Sequence, residues 1–589
     1  MHNDPADKGA AARKPAAEGP DVAKPVDGAP EAVKPGDGAP EAVKPGDGAP
    51  EAVKPAGKQA DKPAAKSRRQ KAASRGLLTG LLSAVAIVAA GGAVLATAAV
   101  APPNPGTRPL EAALAAVPAG TTQGVCPGPA RLLEGTADGT DPQFSPESST
   151  AATSVDAVVV STPGGTLPPS RFAGLDGKNG VDIAKGTAAP APAAATVSAG
   201  VLAGRAVSGI SVLNAQAVDN NRASAAALVR YSAGDGDLRG IAAANCQQPA
   251  NDLWLVGANT SLGRTAVLTL TNTSSNPATV NLELFGAEGQ IQAPGSRGLL
   301  VAPGTSRSIV LAGLAPGEKA LGIHVRSAGG PVAAVIQQSV LRGLQPGGVD
   351  YIVPGAGQGI RQVMTGVDIQ DPAAVASLTA RQGFSDAGPV LYLTVPGSTD
   401  AVVEIKLFGR DGQKALPSGG VVTAKAGAVT EVPLAGVPAG QYTVSATSDV
   451  SFVAASRTTR GTDPGAPTDV SWSPSAPRLG SQHLVPVPSA GERRLVIGAL
   501  EDRAAVSYTP VTADGRLHQA ASADIAGGTT ASIDLPREVA GSSVTAYVVS
   551  ATGDAAYGAL SLQDGTGIST VALTPGAEGQ EQVPVRLGY

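Results

Sequence analysis

The side chains that most often carry acid–base or metal chemistry are sparse in this sequence. Beyond the N-terminal tail there are three histidines, His324, His483 and His518, and none has an acidic partner at an informative spacing. His324 alternates with apolar residues and shares a face with Arg326, so we predict that it lies on the surface of a strand. The sequence contains no nucleophile elbow, no His-Glu-x-x-His motif and no phosphate-binding loop. We therefore predict no catalytic, cofactor-binding or metal-binding residues, and only an active site dispersed along the chain stays open.

Two short acidic segments resemble parts of calcium-binding loops. They are Asp235-Gly236-Asp237 and Asp138-Gly139-Thr140-Asp141. Neither continues into the ligand spacing and terminal Glu that a complete loop needs. Polar turns are the better interpretation of both segments.

The two cysteines, Cys126 and Cys246, are predicted to form a structural disulfide. A metal or redox pair is disfavoured, because there is no Cys-x-x-Cys and no His near either residue. The bond would close a loop of about 120 residues and stabilise the fold by about 4–5 kcal/mol in the chain-entropy model. Trp254 follows Cys246 closely, and we favour a core position packed on the sulfurs over an exposed sugar-stacking role.

The composition favours short strands and many turns. Gly and Pro together exceed a fifth of the 589 residues, and aromatic residues make up only 3%. The formal net charge is −4, with a mildly basic N-terminal tail and a mildly acidic remainder. This balance gives no reason to propose binding to nucleic acid.

The N-terminal part of the chain reads as a tail followed by a membrane span. Residues 1–75 contain a ten-residue repeat, Asp27 to Gly36 and its copies, with two prolines per unit and little to bury, so we predict a disordered tail. Residues 76–100 carry no charge and are long enough for one transmembrane helix. The basic cluster between Lys62 and Arg75 predicts that the N-terminus is cytoplasmic and the C-terminal part extracellular.

Three other interpretations of the span remain open. Ala96-Thr97-Ala98 has the form of a signal-peptidase site, but the tail is far longer than an ordinary signal region. Ser67-Arg68-Arg69 hints at a twin-arginine signal, but Gln70 and Lys71 interrupt it. Gly76 and Gly80 form one small-xxx-small pair that could join two helices. A signal anchor that is retained fits these residues best.

From Trp254 onward the chain alternates between apolar and polar residues and repeats itself. Val280-x-Leu282-x-Leu284-Phe285-Gly286 matches Val403-x-Ile405-x-Leu407-Phe408-Gly409, and a weaker third copy surrounds Gly528. This pattern predicts a mainly β fold of tandem antiparallel β-sandwich-like modules outside the membrane. The predicted domains after the span are an irregular β domain with the disulfide at 108–252, β modules at 253–350, 385–462 and 485–566, and a C-terminal segment at 567–589.

Several motifs together resemble those of an actinobacterial envelope family that is known only as a domain of unknown function. The resemblance covers about Gly124 to Gly565, and its motifs are Val125-Cys126-Pro127-Gly128-Pro129, Asn245-Cys246, Pro249, Asp252, Trp254-Leu255-Val256-Gly257, Gly263-Arg264, Leu268-x-Leu270-x-Asn272 and Val340-Leu341-Arg342-Gly343. It implies one N-terminal span and a gene beside that of a membrane glycosyltransferase. It implies no catalytic residues.

These observations lead to one functional hypothesis and two alternatives. The leading hypothesis is a membrane-anchored, exported, non-enzymatic scaffold or binding module in cell-envelope assembly. Its partners would be an envelope glycosyltransferase or another membrane protein, bound at edge strands with unpaired backbone groups. The alternatives are a module that binds envelope or cell-wall glycan, and a divergent glycan-modifying enzyme with two carboxylates in a deep cleft.

Overall fold

The computed structural model describes residues 113–116, 119–134, 145–162, 165–185, 197–462, 465–574 and 582–585. The chain divides into two units, Met1–Pro109 and Leu110–Tyr589, and all described residues belong to the second. The predicted tail and the predicted span at 76–100 lie outside the described residues. Within the described part of the chain, no helix is long and apolar enough to cross a membrane.

The described chain is mainly β, as the alternating pattern predicted. It folds as four β-sandwiches, which we call the disulfide module and modules 1, 2 and 3. In each module, we call the sheet that contains the first strand the a sheet, and the sheet that contains the last strand the b sheet. In each module apolar side chains from both sheets meet in a buried core.

The disulfide module has the same strand order as the other three modules, although the sequence predicted an irregular domain there. Its strands are preceded by β1 (Ala113–Ala116). The a sheet has the order β2-β7-β4-β5 and the b sheet β6-β3-β8-β9. The strands are β2 (Thr122–Cys126), β3 (Ala152–Val160), β4 (Ser170–Gly174), β5 (Val181–Ala184), β6 (Ala199–Ala206), β7 (Ser211–Ala215), β8 (Ser224–Ala233) and β9 (Gly240–Asn245). Long connections between short strands hide the repeat from a reading of the sequence.

Module 1 follows the predicted alternation closely. Its a sheet has the order β10-β16-β12-β13, with β14 beside β12, and its b sheet has the order β15-β11-β17-β18. The strands are β10 (Asp252–Ala258), β11 (Arg264–Asn272), β12 (Ala278–Gly286), β13 (Gly289–Ile291), β14 (Leu299–Val301), β15 (Thr305–Val310), β16 (Leu321–Gly329), β17 (Ala333–Arg342) and β18 (Gln345–Ile352). The 3₁₀ turn Leu311–Gly313 follows β15.

Module 2 differs from module 1 by one long strand and one helix. β25 (Gly440–Arg460) pairs with β19 and β21 in its first half and with β20 and β26 in its second half, so it belongs to both sheets. The helix α1 (Pro372–Thr379) begins after Asp371, whose carboxylate accepts hydrogen bonds from two backbone N–H groups. The other strands are β19 (Gly359–Ile369), β20 (Val390–Thr394), β21 (Ala401–Gly409), β22 (Gly412–Lys414), β23 (Val421–Ala424), β24 (Val429–Pro433) and β26 (Asp469–Pro474). Module 2 thus begins ahead of the predicted boundary at 385, because the insertion with α1 separates β19 from the repeated pattern.

Module 3 repeats the same arrangement. Its a sheet has the order β27-β33-β29-β30, with β32 beside β33, and its b sheet has the order β31-β28-β34-β35. The strands are β27 (His483–Pro486), β28 (Glu492–Ala499), β29 (Ala504–Thr512), β30 (Ala521–Ile525), β31 (Thr529–Asp534), β32 (Glu538–Val539), β33 (Ser542–Gly553), β34 (Ala556–Asp564) and β35 (Gly567–Ala572). Beyond it, β36 (Gln582–Val585) pairs with β1 and so joins the two ends of this unit.

The last strands of the four modules lie side by side in a closed ring. β9, β18, β26 and β35 each lie next to the last strands of two neighbouring modules. Three further interfaces have apolar clusters in which the a sheet of one module packs on the b sheet of the next. Trp254 and Tyr392 are in the cluster between modules 1 and 2, Phe408 and Tyr557 between modules 2 and 3, and Val158 with other residues between module 3 and the disulfide module.

Candidate functional site

The fourth interface, between the disulfide module and module 1, is open. Here the a sheet of the disulfide module and the b sheet of module 1 enclose a cleft of about 990 Å³. A cleft of this size is typical of sites that hold a ligand. The other three interfaces are filled by large apolar side chains, so the cleft is where the described part of the chain departs from its own repeat.

The module 1 wall of the cleft is mixed, with Val267, Val310 and Val335 beside several polar side chains. Thr269 and Thr271 of β11, Ser306 and Ser308 of β15, and Gln337 of β17 all line it. Because residues in a strand alternate between faces, Leu268 and Leu270 fill the module core while the threonines face outward. Tyr392 of β20 occupies the corresponding position to Thr269 in module 2, and there it is buried against module 1.

The opposite wall belongs to the disulfide module. It includes the buried Phe172 and Ser211, and the turn between β4 and β5 with Asp176 and Asn179. The hydroxyl of Ser211 is buried and has no hydrogen-bond partner among the described residues. Gln247 also lines the cleft, and its amide nitrogen and oxygen are likewise buried without a hydrogen-bond partner among the described residues. Unpartnered buried polar groups are uncommon in folded proteins and are satisfied when a ligand or water supplies the partner.

A loop from Pro127 to Glu134 crosses the base of the cleft. The backbone N–H of Arg131 donates to Oε1 of Gln337 at 2.9 Å, and Nε2 of Gln337 donates back to the Arg131 carbonyl at 2.8 Å. The Tyr351 hydroxyl donates to the Gly128 carbonyl at 2.8 Å. These bonds fix the loop to module 1 and define the depth of the cleft.

The disulfide anchors the other end of this loop. Cys126 ends β2 in the a sheet and Cys246 follows β9 in the b sheet, and the two residues form the predicted disulfide. The bond therefore joins the two sheets of the disulfide module directly below the cleft. The prediction from the cysteine count is confirmed.

The charged groups of the cleft are balanced. Arg131, Arg205, Glu134 and Asp176 line it, and all four are exposed. Hydrogen bonds from the backbone and side chain of Lys178 lower the pKa of Asp176. A glycosidase needs one carboxyl with a raised pKa as its acid, and Asp176 is shifted in the opposite direction.

The residues of the predicted motifs lie in structural positions. Asp386, in the loop after α1, receives a two-pronged hydrogen bond from Arg264 at 2.8 Å and a further bond from Arg342. Burial raises the pKa of Asp386, but the hydrogen bond and charge of Arg342 and the charges of Arg264 and Arg457 lower it further than burial raises it. Through Asp386, the insertion that contains α1 thus binds two arginines of module 1 and joins modules 1 and 2.

Trp254 is a core residue, as predicted, but it packs on different neighbours from those expected. It is 2% exposed, its ring stacks on His324 with centroids 4.0 Å apart, and it belongs to the apolar cluster between modules 1 and 2. The disulfide lies in a separate cluster. The tryptophan therefore serves the interface with module 2.

The prediction that His324 lies on the surface is wrong. It is 6% exposed, with Nδ1 at 2.8 Å from Glu283 and Nε2 at 3.1 Å from Asp252. The alternation correctly placed His324 on the outer face of its strand, but at this position the interface residue Trp254 stacks on the histidine and covers that face. His483 and His518 bond to Thr574 and Thr512 respectively, and none of these three histidines lines the cleft.

The two calcium-like segments have different outcomes. Asp235 accepts hydrogen bonds from Ser148, Ser149 and Thr150, which lowers its pKa, so the segment is a polar turn. Asp138 to Asp141 lies outside the described residues. Among the residues that are described, no group of three or more His, Cys, Asp and Glu side chains could hold a metal ion.

The last strands of the four modules meet at a buried carboxylate, Asp469. Each of its oxygens accepts two backbone N–H bonds, at 3.0–3.2 Å, and each module supplies one donor: Ile241, Val349, Val470 and Ile568. A Cβ atom at Gly240 or Gly348 would collide with this carboxylate, so only glycine fits there. Burial raises the pKa of Asp469 to about 8, and the four N–H donors act in the opposite direction.

These features define a class: a protein of four like β-sandwiches, closed around a shared carboxylate, with one open cleft between modules. The chain belongs to a family of unknown function, DUF5719, whose model matches residues 201–536. The match confirms the predicted resemblance to a family of unknown function. No curated protein matches the sequence.

A solved structure described as "Biofilm associated protein - BSP domain" aligns with 80% of this chain and 99% of its own. The sequence identity is 7% and the TM-score is 0.12, so this similarity supports no argument about fold or function.

Sequence reasoning missed the cleft. It identified the outward threonines of β11 as the polar face of a strand, without a reason to single them out. The signal was present in the repeat itself, because Thr269 stands where module 2 has Tyr392. A strand position that is polar in one copy and aromatic in its counterpart indicates that the polar copy lacks the covering neighbour.

Proposed function

We propose that this protein is a membrane-anchored, exported, non-enzymatic binding module in cell-envelope assembly, and that its partner binds in the open cleft. The charge-free segment at 76–100 and its basic flank support the anchor. The disulfide supports an oxidising compartment outside the cytoplasm. The resemblance to actinobacterial envelope proteins supports the setting and, as partner, an envelope glycosyltransferase or another membrane protein.

The open fourth interface is the observation that carries this proposal. Three equivalent interfaces bury apolar side chains between the facing sheets, whereas the fourth leaves a cleft of about 990 Å³ that is lined by both apolar side chains and hydroxyl groups. A rigid frame with one unfilled position suits a protein that holds another molecule. Balanced charge and the lowered pKa of Asp176 favour binding over acid–base catalysis.

The anchor and the cleft can be tested in one set of cells. The full-length protein, expressed in an actinobacterium, carries a photocrosslinking residue at Thr269 in the cleft or at Leu262, which is fully exposed elsewhere. We expect the protein to stay in the membrane fraction after a wash with alkaline carbonate. We expect irradiation to give a discrete adduct with the envelope glycosyltransferase or another membrane protein from the Thr269 position only. Release by carbonate would contradict the anchor, and equal adducts from both positions would contradict the role of the cleft.

A second candidate is an envelope-glycan binding module, favoured by the row of Thr, Ser and Gln side chains on the module 1 wall. The full-length protein in detergent would then sediment saturably with purified cell-wall polysaccharide, and soluble fragments of that polysaccharide would compete. A Thr269→Trp variant that fills the cleft would lose this binding. Binding that survives this substitution would place any glycan site elsewhere.

A further inference from the structure

One closed interface shows that polypeptide from a neighbouring module can pair with the edge strand of a b sheet. In the disulfide module this strand is β6, and the loop after β29 of module 3 reaches it. Ser198, just before β6, forms a β-bridge with Arg516, and the Ala199 N–H donates to the Gly515 carbonyl at 2.8 Å. In module 3 the strand is β31, which contacts module 2 through a side chain: the Thr530 hydroxyl donates to the Phe408 carbonyl at 2.6 Å. Backbone pairing with the preceding module is therefore seen at β6, and a side-chain contact at β31.

The corresponding strand of module 1 is β15, and among the residues that the structure describes it has no such neighbour. β15 pairs with β11 on one side only, and five of its six residues are exposed. The β4–β5 turn of the disulfide module is the counterpart of the loop that reaches β6. This turn lines the far side of the cleft, and among the described residues no hydrogen bond joins it to β15.

An unpaired strand edge offers a row of backbone N–H and C=O groups that can pair with another extended chain. Strand addition of this kind gives affinity through the backbone and specificity through alternate side chains. A glycan, in contrast, is usually held by exposed aromatic rings, and the aromatic residues of this cleft, Phe172 and Tyr351, are only 2% and 4% exposed. The wall therefore fits a polypeptide better than a sugar.

We propose that the cleft binds an extended polypeptide segment of a partner protein, which adds to the sheet of module 1 along the free edge of β15. This rests on the proposed function, since it specifies the ligand of the same cleft. The six residues of β15 span about 20 Å and can pair with a segment of similar length. Because the wall that contains β15 presents Thr269, Ser308 and Val310 to the cleft, and the charges of the cleft are balanced, the segment has small apolar or hydroxylated side chains and little net charge.

The test uses the full-length protein in detergent and a phage-displayed library of random dodecapeptides. Peptides that are selected are synthesised with a fluorophore, and their Kd is measured by anisotropy. Ser308→Trp places a large ring in the cleft, and Arg307→Trp is the matched control on the other face of the same strand. We expect Ser308→Trp to weaken binding at least tenfold and Arg307→Trp to change it less than twofold.

A second measurement reports on strand pairing itself. N-methylation of successive peptide bonds in a selected peptide removes one N–H donor at a time. If the peptide pairs with β15, methylation weakens binding at every second position and leaves the intervening positions nearly unchanged. Uniform sensitivity along the peptide, or none, would overturn the proposed pairing.

The remaining outcomes separate this inference from the proposed function. If no peptide is enriched, but cell-wall oligosaccharide binds and Ser308→Trp abolishes that binding, the cleft is a binding site and the polypeptide inference is wrong. If peptides bind equally to both tryptophan variants, the cleft is not their site and the inference is again wrong. If neither peptide nor oligosaccharide binds, and photocrosslinking from Thr269 gives no adduct, the proposed function and this inference both fail.

Discussion

At the scale of single residues, Asp469 is the position with the strictest requirements. Its carboxylate oxygens accept four backbone N–H bonds, one from each module, and glycines at 240 and 348 make room for it. Nearby, the buried Asp350 accepts hydrogen bonds from the Trp472 N–H and the Ser569 hydroxyl. The two carboxyls differ in their partners. Every partner of Asp469 is an N–H group that can only donate a hydrogen bond. The Ser569 hydroxyl, which bonds to Asp350, can also accept one.

The substitution Asp469→Asn is expected to destabilise the protein by about 2–6 kcal/mol. An amide NH₂ in place of one oxygen leaves two buried N–H groups without an acceptor, and each costs about 1–3 kcal/mol. Urea denaturation measures the change, with Asp411→Asn at an exposed turn as a control that shifts stability by less than about 0.5 kcal/mol. Equal midpoints for the two variants would show that Asp469 does not organise the centre.

The buried carboxyls also predict how stability depends on pH. Burial raises the pKa of Asp156 to about 6, and it raises the pKa of Asp350 well above its usual range. The folded chain therefore holds these protons more tightly than the unfolded chain between about pH 4 and pH 6. Carboxyls with a lowered pKa, such as Asp386, contribute only below this window.

The free energy of unfolding should consequently fall as the pH rises from about 4 to 6. The slope is at most about 1.4 kcal/mol per pH unit for each carboxyl that titrates fully. Asp350→Asn should keep the fold and reduce this slope, because its NH₂ can donate to the Ser569 oxygen while its oxygen accepts from Trp472. Urea titrations at several pH values measure both effects, and a stability that rises with pH across this window would contradict the assignment.

At the scale of elements, the interfaces between modules depend on a few large side chains. Trp254 of β10 is 2% exposed and shares a cluster with Phe285 and Tyr392. We expect Trp254→Ala to cost about 3–5 kcal/mol, because it leaves a cavity between modules 1 and 2. Leu262→Ala, at a fully exposed position, is the control. Thermal unfolding compares the two, and a loss as small as that of the control would show that this interface contributes little.

The strands were largely predictable from the sequence where one face of a sheet is buried and the other is polar. β12 and β21 follow the repeated Val-x-Leu pattern, and each turns back in a hairpin, with positive φ at Gly289 and Gly412. β19 was not predictable, because both its faces are covered and its sequence therefore lacks alternation. The same limit applies to His324 and to the cleft: period-two alternation assigns a residue to a face, but the neighbour that covers the face comes from a distant part of the chain.

At the scale of the described unit, four copies of one sandwich meet at a single carboxylate, and neighbouring modules share apolar clusters at three interfaces. The fourth interface is the exception because its module 1 wall carries Thr269 where the equivalent wall of module 2 carries Tyr392. A small side chain at this position leaves room for a cleft in place of a repeated structural contact. The loop after the disulfide residue Cys126 hydrogen-bonds to Gln337 and Tyr351 of module 1 at that point.

The reactivity of introduced thiols tests this account most directly. The chain has only the two cysteines of the disulfide, so a single introduced cysteine is the one free thiol. We compare Thr269→Cys in the cleft, Ala455→Cys and Ala546→Cys in two closed interfaces, and Leu262→Cys as the exposed reference. The account predicts that a small maleimide labels Thr269→Cys within about tenfold of the reference rate, and the two interface variants at least a hundredfold more slowly. Labelling of Thr269→Cys as slow as that of the interface variants would mean that the fourth interface is closed and that the central claim is wrong.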